Sequence, residues 1–356
     1  MKRAGSKHAL AIAVLLELEG RAGVGRLLDS GASPTRMLLR RSPVAGRVKM
    51  LGLEEALLSC GATVIAWDES GFPRRLREIP DPPRVLYLKG DPGVLNQPGI
   101  AIVGARRASR FGLEVARTLA RTLSECGALI VSGLALGIDA AAHTGACDGS
   151  GRTLAVLGSG LSRVQPRSNL GLSRRITDQG GLMVSEYPPM TPADRFRFPE
   201  RNRLISALSE GVVVVEATSR SGSLITARLA LEQGREVMAV PGLPGMPGSA
   251  GCHTLLKQGA GLVECAQDVV DVLGHRMEDV FVDRPRGERS HGDMEWMPEN
   301  QRRVLQALGG LPMTAEEIGD VLGLSTRDCL VVVSELELGG FVQRVADGYI
   351  RTPTNT

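Results

Sequence analysis

Between residues 100 and 240, short unbroken apolar runs alternate with longer mixed segments: IAIV (100–103), ALIV (128–131), TLAVL (153–157), LMV (182–184), VVVV (212–215) and EVMAV (236–240). A strand that is apolar at every position is covered on both faces, and strands separated by helices pair in parallel. The pattern therefore predicts an α/β fold built on a doubly wound, mostly parallel sheet. Ligands of such sheets lie beyond the carboxyl ends of the strands. Those ends read Gly104-Ala105-Arg106-Arg107, Ser132-Gly133-Leu134-Ala135-Leu136-Gly137, Gly158-Ser159-Gly160, Ser185-Glu186-Tyr187, Glu216-Ala217-Thr218 and Pro241-Gly242. Glycine and serine there let a ligand approach the backbone and leave N–H groups free for an anion, although a glycine also serves any tight connection.

The flanks follow other rules. HALAIAVLLEL (8–18) predicts a mostly buried helix and Gly23-Val24-Gly25 opens a second helical stretch, so residues 1–71 read as a small helical module of the SAM or helix-hairpin-helix type. The proline-rich stretch 71–91 sets a boundary near Phe72, and 72–282 is taken as the α/β domain. A polar segment, 283–297, reads as a linker. In 298–356 a helix from Asn300 to Leu308, a helix capped by Thr314 with Glu317 three residues on, a helix from Thr326 to Leu338 and a hairpin around Asp347-Gly348 predict a winged helix. Its third helix, TRDCLVVVSELEL, has one basic and three acidic residues, which opposes insertion into a DNA groove and favours protein contact or plain structural use.

At 356 residues the chain is long for a single core. No apolar run approaches the roughly 18 residues of a membrane span and no secretory signal is present, so a cytoplasmic protein without membrane contact is expected. The six cysteines form no CxxC or Cys/His ligand spacing, which predicts reduced thiols and no metal site. The net charge of +3 hides an asymmetry: residues 1–77 carry 13 Lys and Arg against 7 Asp and Glu, and residues 296–356 carry 5 against 8. Any polyanion site in the electrically balanced middle must be a local patch.

Such a patch is visible. Only 11 residues are aromatic, yet Tyr187, Phe196 and Phe198 lie within twelve positions, interleaved with Arg195, Arg197, Arg201 and Arg203. Guanidinium groups cancel phosphate charge and rings stack on bases, so the mixture suits an unpaired polynucleotide. Arg106, Arg107, Arg110, Arg163 and Arg167 crowd the same predicted edge. Signs of catalysis are weak: Gly104–Ser109 is not GxGxxG, and SGSLIT (221–226) lacks a P-loop lysine. Asp139 reads as a helix N-cap, His143 as its fold-holding neighbour, and Glu216 as either an orienting group for loop arginines or a proton acceptor. No catalytic residue or cofactor is assigned.

Taken together and in order, IAIVGARRASRFG, IVSGLALGIDAAAH, TLAVLGSGL, SEYPP, FRFPERNRLISALSEGVVVVEA, SGSLITARLALEQGREVMAVPG and LLKQGAGLV closely resemble the bacterial DNA-processing DprA (Smf) family over about residues 72–273. The resemblance implies a Rossmann-like domain that binds single-stranded DNA and dimerises. It further implies a recombination mediator that protects incoming strands and loads RecA during natural transformation, with single-strand-binding protein as a further partner and no established catalysis. The family's VGxR arginine matches Arg106, with Arg107 as its neighbour, and the basic and aromatic positions before its RNR segment match Arg195 and Phe198. The SGxAxG loop corresponds to Ser132, Gly133 and Gly137, and the SGS turn to Ser221, Gly222 and Ser223. Arg201 and Arg203 are assigned to phosphates, with fold-holding as the alternative because they begin a predicted helix. Two departures stand out: Gln165 precedes Pro166 where a tyrosine is usual, and a usual GxN reads Gly251-Cys252-His253. The alternative function is a nucleotide-processing enzyme similar to the phosphoribohydrolases, against which SGSLIT replaces their PGGxGT. A purely structural hub is a third possibility.

Overall fold

The computed structural model describes residues 5–29, 33–41, 43–149, 151–277, 280, 297–308, 312–339, 341–345 and 348–351, so the expected linker lies almost wholly outside the described residues. Helix α1 (Lys7–Asp29) is broken at Gly20, whose φ of 68° only glycine adopts cheaply. The break falls just before the expected Gly23-Val24-Gly25 turn. Helices α2 (Pro34–Arg41) and α3 (Pro43–Cys60) complete the N-terminal module.

Strand β1 (Thr63–Ala66), the single turn α4 (Arg74–Arg77) and β2 (Val85–Gly90) lead into the alternating region. There follow β3 (Gly99–Val103), α5 (Arg110–Glu125), β4 (Leu129–Ser132), α6 (Ile138–Asp148), β5 (Thr153–Leu157), α7 (Leu170–Asp178) and β6 (Leu182–Ser185). Next come α8 (Arg197–Ala207), β7 (Gly211–Val214), α9 (Ser223–Glu232), β8 (Glu236–Ala239), α10 (Ala250–Lys257), β9 (Gly261–Leu262) and α11 (Ala266–Leu273). All six strands read from apolar runs are present. The sheet also takes in β1 and β2, on either side of the Phe72 boundary expected from the prolines, and the short β9.

Strand order is β1-β2-β6-β5-β4-β3-β7-β8-β9, parallel from β6 to β9, with β2 antiparallel to β6 and β1 antiparallel to β2. The chain builds outward from β3 to β6, then α8 carries it back to β7 on the other side of β3. That reversal makes the carboxyl ends of β3 and β7 the topological switch point. The continuous apolar runs are explained by the layers on either side. Ala101 and Val103 of β3 pack with Leu204 and Leu208 on one face, while Ile100 and Ile102 pack with Leu119, Leu123 and Ala142 on the other. Among the described residues the N-terminal module has no separate interior: Ile12, Leu15 and Leu57 share one apolar cluster with Leu157 and Met183 of the sheet.

Helices α12 (Glu299–Ala307), α13 (Ala315–Leu322) and α14 (Thr326–Leu338), with the hairpin β10 (Val342–Val345) and β11 (Gly348–Arg351), form the expected winged-helix arrangement around their own core. Thr314 and Glu317 make the expected capping box. This module touches the α/β domain where Phe111 meets Phe341, with ring centroids 6.4 Å apart, and where Arg110 lies 3.7 Å from Glu335. No helix among the described residues is long and apolar enough to cross a membrane.

His143 is fully buried on α6. Its Nδ1 lies 2.7 Å from Thr153 Oγ1, whose own proton goes to the Ile130 carbonyl. Nδ1 must therefore donate, and His143 bonds β5 rather than Asp139. Burial pushes its pKa down to about 3. The unfolded chain then takes up a proton near pH 6.5 that the native chain refuses, so stability falls as pH drops from 6.5 toward 3. Denaturant titrations of the native chain and His143→Gln at pH 7.5 and 5.5 are expected to show that the native chain loses about 1.4 kcal/mol more than the variant between the two. Equal losses would show that His143 does not titrate in this way.

Candidate nucleic-acid interface

The loop after β3 carries Arg106 and Arg107, both exposed, and is tied down from across the switch point. Glu216, just past β7, accepts the Ser109 N–H at 2.9 Å and the Ser109 hydroxyl at 2.5 Å, and Ser109 in turn caps α5 by accepting from Gly112 N–H at 2.9 Å. Of the two roles open to Glu216, this geometry is the orienting one. The other side of the loop is held by Gly137, whose φ is 77°. A Cβ there would strike the Ala105 carbonyl and the Arg106 backbone, which is the close approach the glycine permits.

Beneath this loop lies Arg201, 4% exposed. Its guanidinium donates to the carbonyls of Gly133, at 2.7 Å, and of Val156, and to Asn202 Oδ1 at 3.1 Å. Asp139, 6% exposed, accepts from the N–H groups of Gly133 (3.1 Å) and Ala135 (3.4 Å). Burial pushes Arg201 down to about 10 and raises the Asp139 carboxyl, each effect partly offset by the other's charge. A side chain at Gly133 would occupy the space of the Arg201 guanidinium, so glycine is required at this crossing.

The β4 loop next runs through Leu134, held in left-handed backbone (φ 55°), and is clamped by Asn169. The Asn169 side-chain amide donates to the carbonyls of Leu134 (3.0 Å) and Ala135 (3.2 Å). Asn169 escaped the sequence reading because a single asparagine between short elements carries no spacing signal. Above this platform opens a cleft of about 450 Å³, walled by Arg106, Leu136, Arg163, Gln165, Pro192 and Phe198. That volume falls within the roughly 300–1,000 Å³ range of small-ligand sites.

Three guanidinium–ring pairs run along the rim. Arg106 stands 5.0 Å from the Phe198 centroid, Arg195 4.7 Å from Phe196, and Arg197 5.2 Å from Tyr187. Phe196 is 64% exposed and Phe198 half-buried, so neither ring is core. The family match singles out Phe198, yet Phe196 in the same arginine-rich run is the more exposed ring. Gln165 lines the cleft but supplies no ring.

Several expected contacts move to other roles. Ser132 is fully buried, and its hydroxyl is spent on the Ile102 carbonyl at 2.7 Å, tying β4 to β3. Arg201 and Arg203 hold the fold rather than face the cleft: Arg203 grips both oxygens of Glu186 at 2.9 Å and Asp81 at 3.3 Å. Ser221 and Ser223 bond each other at 2.8 Å at the start of α9. Asn202, one turn of α8 beyond Phe198, reaches the Gly222 carbonyl at 3.5 Å. Where the GxN motif departs, Cys252 is buried and His253 Nε2 meets the Gly242 carbonyl at 2.8 Å. Among the described residues no group of histidines, cysteines and carboxylates could hold a metal ion.

The Arg203–Glu186 pair is nearly buried on both sides, so Arg203→Ala would remove the guanidinium that balances a buried carboxylate. A loss of about 3–5 kcal/mol in unfolding free energy is expected by denaturant titration. A loss below about 1 kcal/mol, the value of a surface pair, would contradict the buried reading.

A Rossmann-like sheet with a cationic, ring-bearing rim at its switch point, followed by a winged helix, marks a nucleic-acid-handling protein. The chain belongs to the DNA recombination-mediator protein A family, whose model matches residues 63–274, and a DprA winged helix domain matches residues 297–348. It is 38% identical to protein Smf of Escherichia coli over 288 residues, covering 81% of this chain and 77% of that one. It is 45% identical to the DNA processing protein DprA of Streptococcus pneumoniae over 202 residues, covering 56% and 70%. Among solved structures, the X-ray structure of the pneumococcal DprA matches with a TM-score of 0.58 at 36% identity, covering 76% of this chain and 94% of that one. A Helicobacter pylori DprA, described for its single-stranded DNA binding mode, matches with a TM-score of 0.55 at 32% identity, covering 60% and 96%. A DNA-processing, recombination-mediator role follows from the family.

Proposed function

We propose that this chain binds single-stranded DNA along the rim described above and works as a mediator that delivers the strand to a RecA recombinase. The observation that carries the reading is the row of three arginine–ring pairs at the switch point. An exposed cation–π contact is worth roughly 0.5–1 kcal/mol, less than the roughly 1–3 kcal/mol of a stacked base, so a strand can displace these pairs and place its phosphates on the released guanidinium groups. Arg106, Arg107 and Arg195 take phosphates, Phe198 and Phe196 stack bases, and Gly133 and Gly137 keep the loops close. The SGS turn (Ser221, Gly222 and Ser223) is a second contact farther along the strand.

A binding role is also favoured over nucleotide chemistry by the acids near the cleft. Asp139 is occupied by two backbone N–H groups and Glu216 by Ser109, so neither is poised to take a substrate proton. RecA loading, single-strand-binding protein as a partner and a homodimer through the α/β domain rest on the family resemblance, as does use in natural transformation, while a cytoplasmic setting is proposed from the want of a membrane-length apolar run. The 1–71, 72–282 and 298–356 segments are read as its working units.

The test is a titration of single- and double-stranded oligonucleotides at two salt concentrations, with preference for the single strand expected. Arg106→Ala is expected to weaken oligo-dT binding about tenfold or more and to flatten the salt dependence by about one phosphate contact. Phe198→Ala is expected to weaken binding while leaving the salt slope unchanged. Unchanged affinity in both variants, or release of free base from nucleotides, would overturn the reading.

A further inference from the structure

Two helices at opposite ends of the chain expose apolar stripes that none of the described residues covers. On α3, Val44, Val48, Leu51 and Leu58 are 76, 63, 65 and 50% exposed and recur at helical spacing on one face. On α14, the helix that would enter a DNA groove in a nucleic-acid-reading winged helix, Leu330, Val331 and Leu338 are 43, 54 and 78% exposed and wall a shallow groove of about 640 Å³. Exposed large apolar residues clustered on one face are the usual mark of a docking surface. DNA does not fit the α14 face, because Asp328, Glu335 and Glu337 would repel phosphate.

The two faces match each other. The first half of the α3 stripe carries the exposed Arg47 and its second half Glu55; the first half of the α14 stripe carries Arg327 and its second half Glu335. With the helices antiparallel, one register sets Val44 on Leu338, Arg47 on Glu335, Leu51 on Val331 and Glu55 on Arg327. Two apolar pairs then meet and both charge pairs are opposite, while Val48 faces Ser334 and Leu330 faces Gly52.

We propose that α3 of one copy docks antiparallel on α14 of a second copy, a head-to-tail contact between successive chains. Charge decides between this and the symmetric alternative. An α3–α3 pair could also set Arg47 against Glu55, but it would join two modules that each hold 10 basic against 7 acidic residues in 1–71. The α3–α14 pair joins that basic module to one with 5 basic against 8 acidic. Head-to-tail contacts of this kind propagate rather than close. A single helix-on-helix contact falls well short of the roughly 800 Å² per partner of a stable complex, so free chains associate weakly and pair mainly when held side by side. A shared single strand would hold them so; that part rests on the function proposed above, whereas the contact itself does not.

Cross-linking in full-length chain separates the possibilities without any DNA. Chains carrying Val44→Cys and chains carrying Leu338→Cys are mixed, treated with a short bis-maleimide and compared with the native chain, which controls for Cys60 and Cys265. The expected result is a mixed dimer exceeding the products of either variant alone. Arg47→Glu should cut its yield about tenfold, and adding Glu335→Arg on the other chain should restore it. Val44→Cys chains that link as well to themselves would mean an α3–α3 pair and overturn the proposal, as would the absence of any product above the native control. In a second assay, Leu338→Glu is expected to flatten the steepness of binding to an oligonucleotide long enough for several copies, without changing affinity for one that holds a single copy. Loss of all strand binding by the native chain would instead count against the proposed function and leave the cross-link to judge the contact.

Discussion

One buried cation organises the site. Arg201 is placed by α8, the helix that crosses the switch point, and its guanidinium donates to the carbonyl ends of two strands that would otherwise leave those groups unpaired under the cleft. A charge in that position is tolerable only because Asp139 faces it and because the fork geometry of arginine spends its donors on fixed acceptors. Everything above inherits this constraint. Gly133 has no side chain because the guanidinium fills its space, and Asp139 is committed to holding the β4 loop. The exposed arginines are thereby left as the groups that can meet a ligand.

The arginines of the sequence therefore divide by partner rather than by position. Arg203, two residues beyond Arg201, is neutralised by Glu186 and Asp81, and Arg235 and Arg75 by Glu210. The rim arginines instead lie over aromatic faces, where the quadrupole of the ring attracts the cation without cancelling its charge. A cation parked on a ring keeps its field and stays near the surface on which a base would stack. The balanced overall charge of the α/β domain is thus compatible with a strongly local electrostatic footprint.

Much of this was legible beforehand, for identifiable reasons. The six core strands announced themselves because burial on both faces erases the polar alternation, and the cap at Thr314 and Glu317 because its chemistry is local. β2 was hidden among prolines that precede it, since its place is fixed by pairing with β6 and not by its own composition. The same distinction governs the site. The interleaving of Phe196, Phe198 and their arginines reappears as exposed ring–cation pairs, whereas Ser132, Arg201 and Arg203 look identical in sequence to contacts and serve as supports. Only the tertiary positions of Ile102, Val156 and Glu186 separate those two roles. Asn169 and the left-handed Leu134 left no trace in the linear pattern at all.

The absence of a separate N-terminal interior has a mechanical corollary. Leu161 and Val164, which root the loop bearing Arg163 and Gln165, lie in the same apolar cluster as Ile12 and Leu15 of α1. One wall of the cleft is therefore anchored in side chains that belong to the first helix of the chain. A force or a binding event on that helix bears on the cleft through this shared cluster, whereas the winged helix, with a core of its own, meets the α/β domain at Arg110 and Phe111 in the first turn of α5.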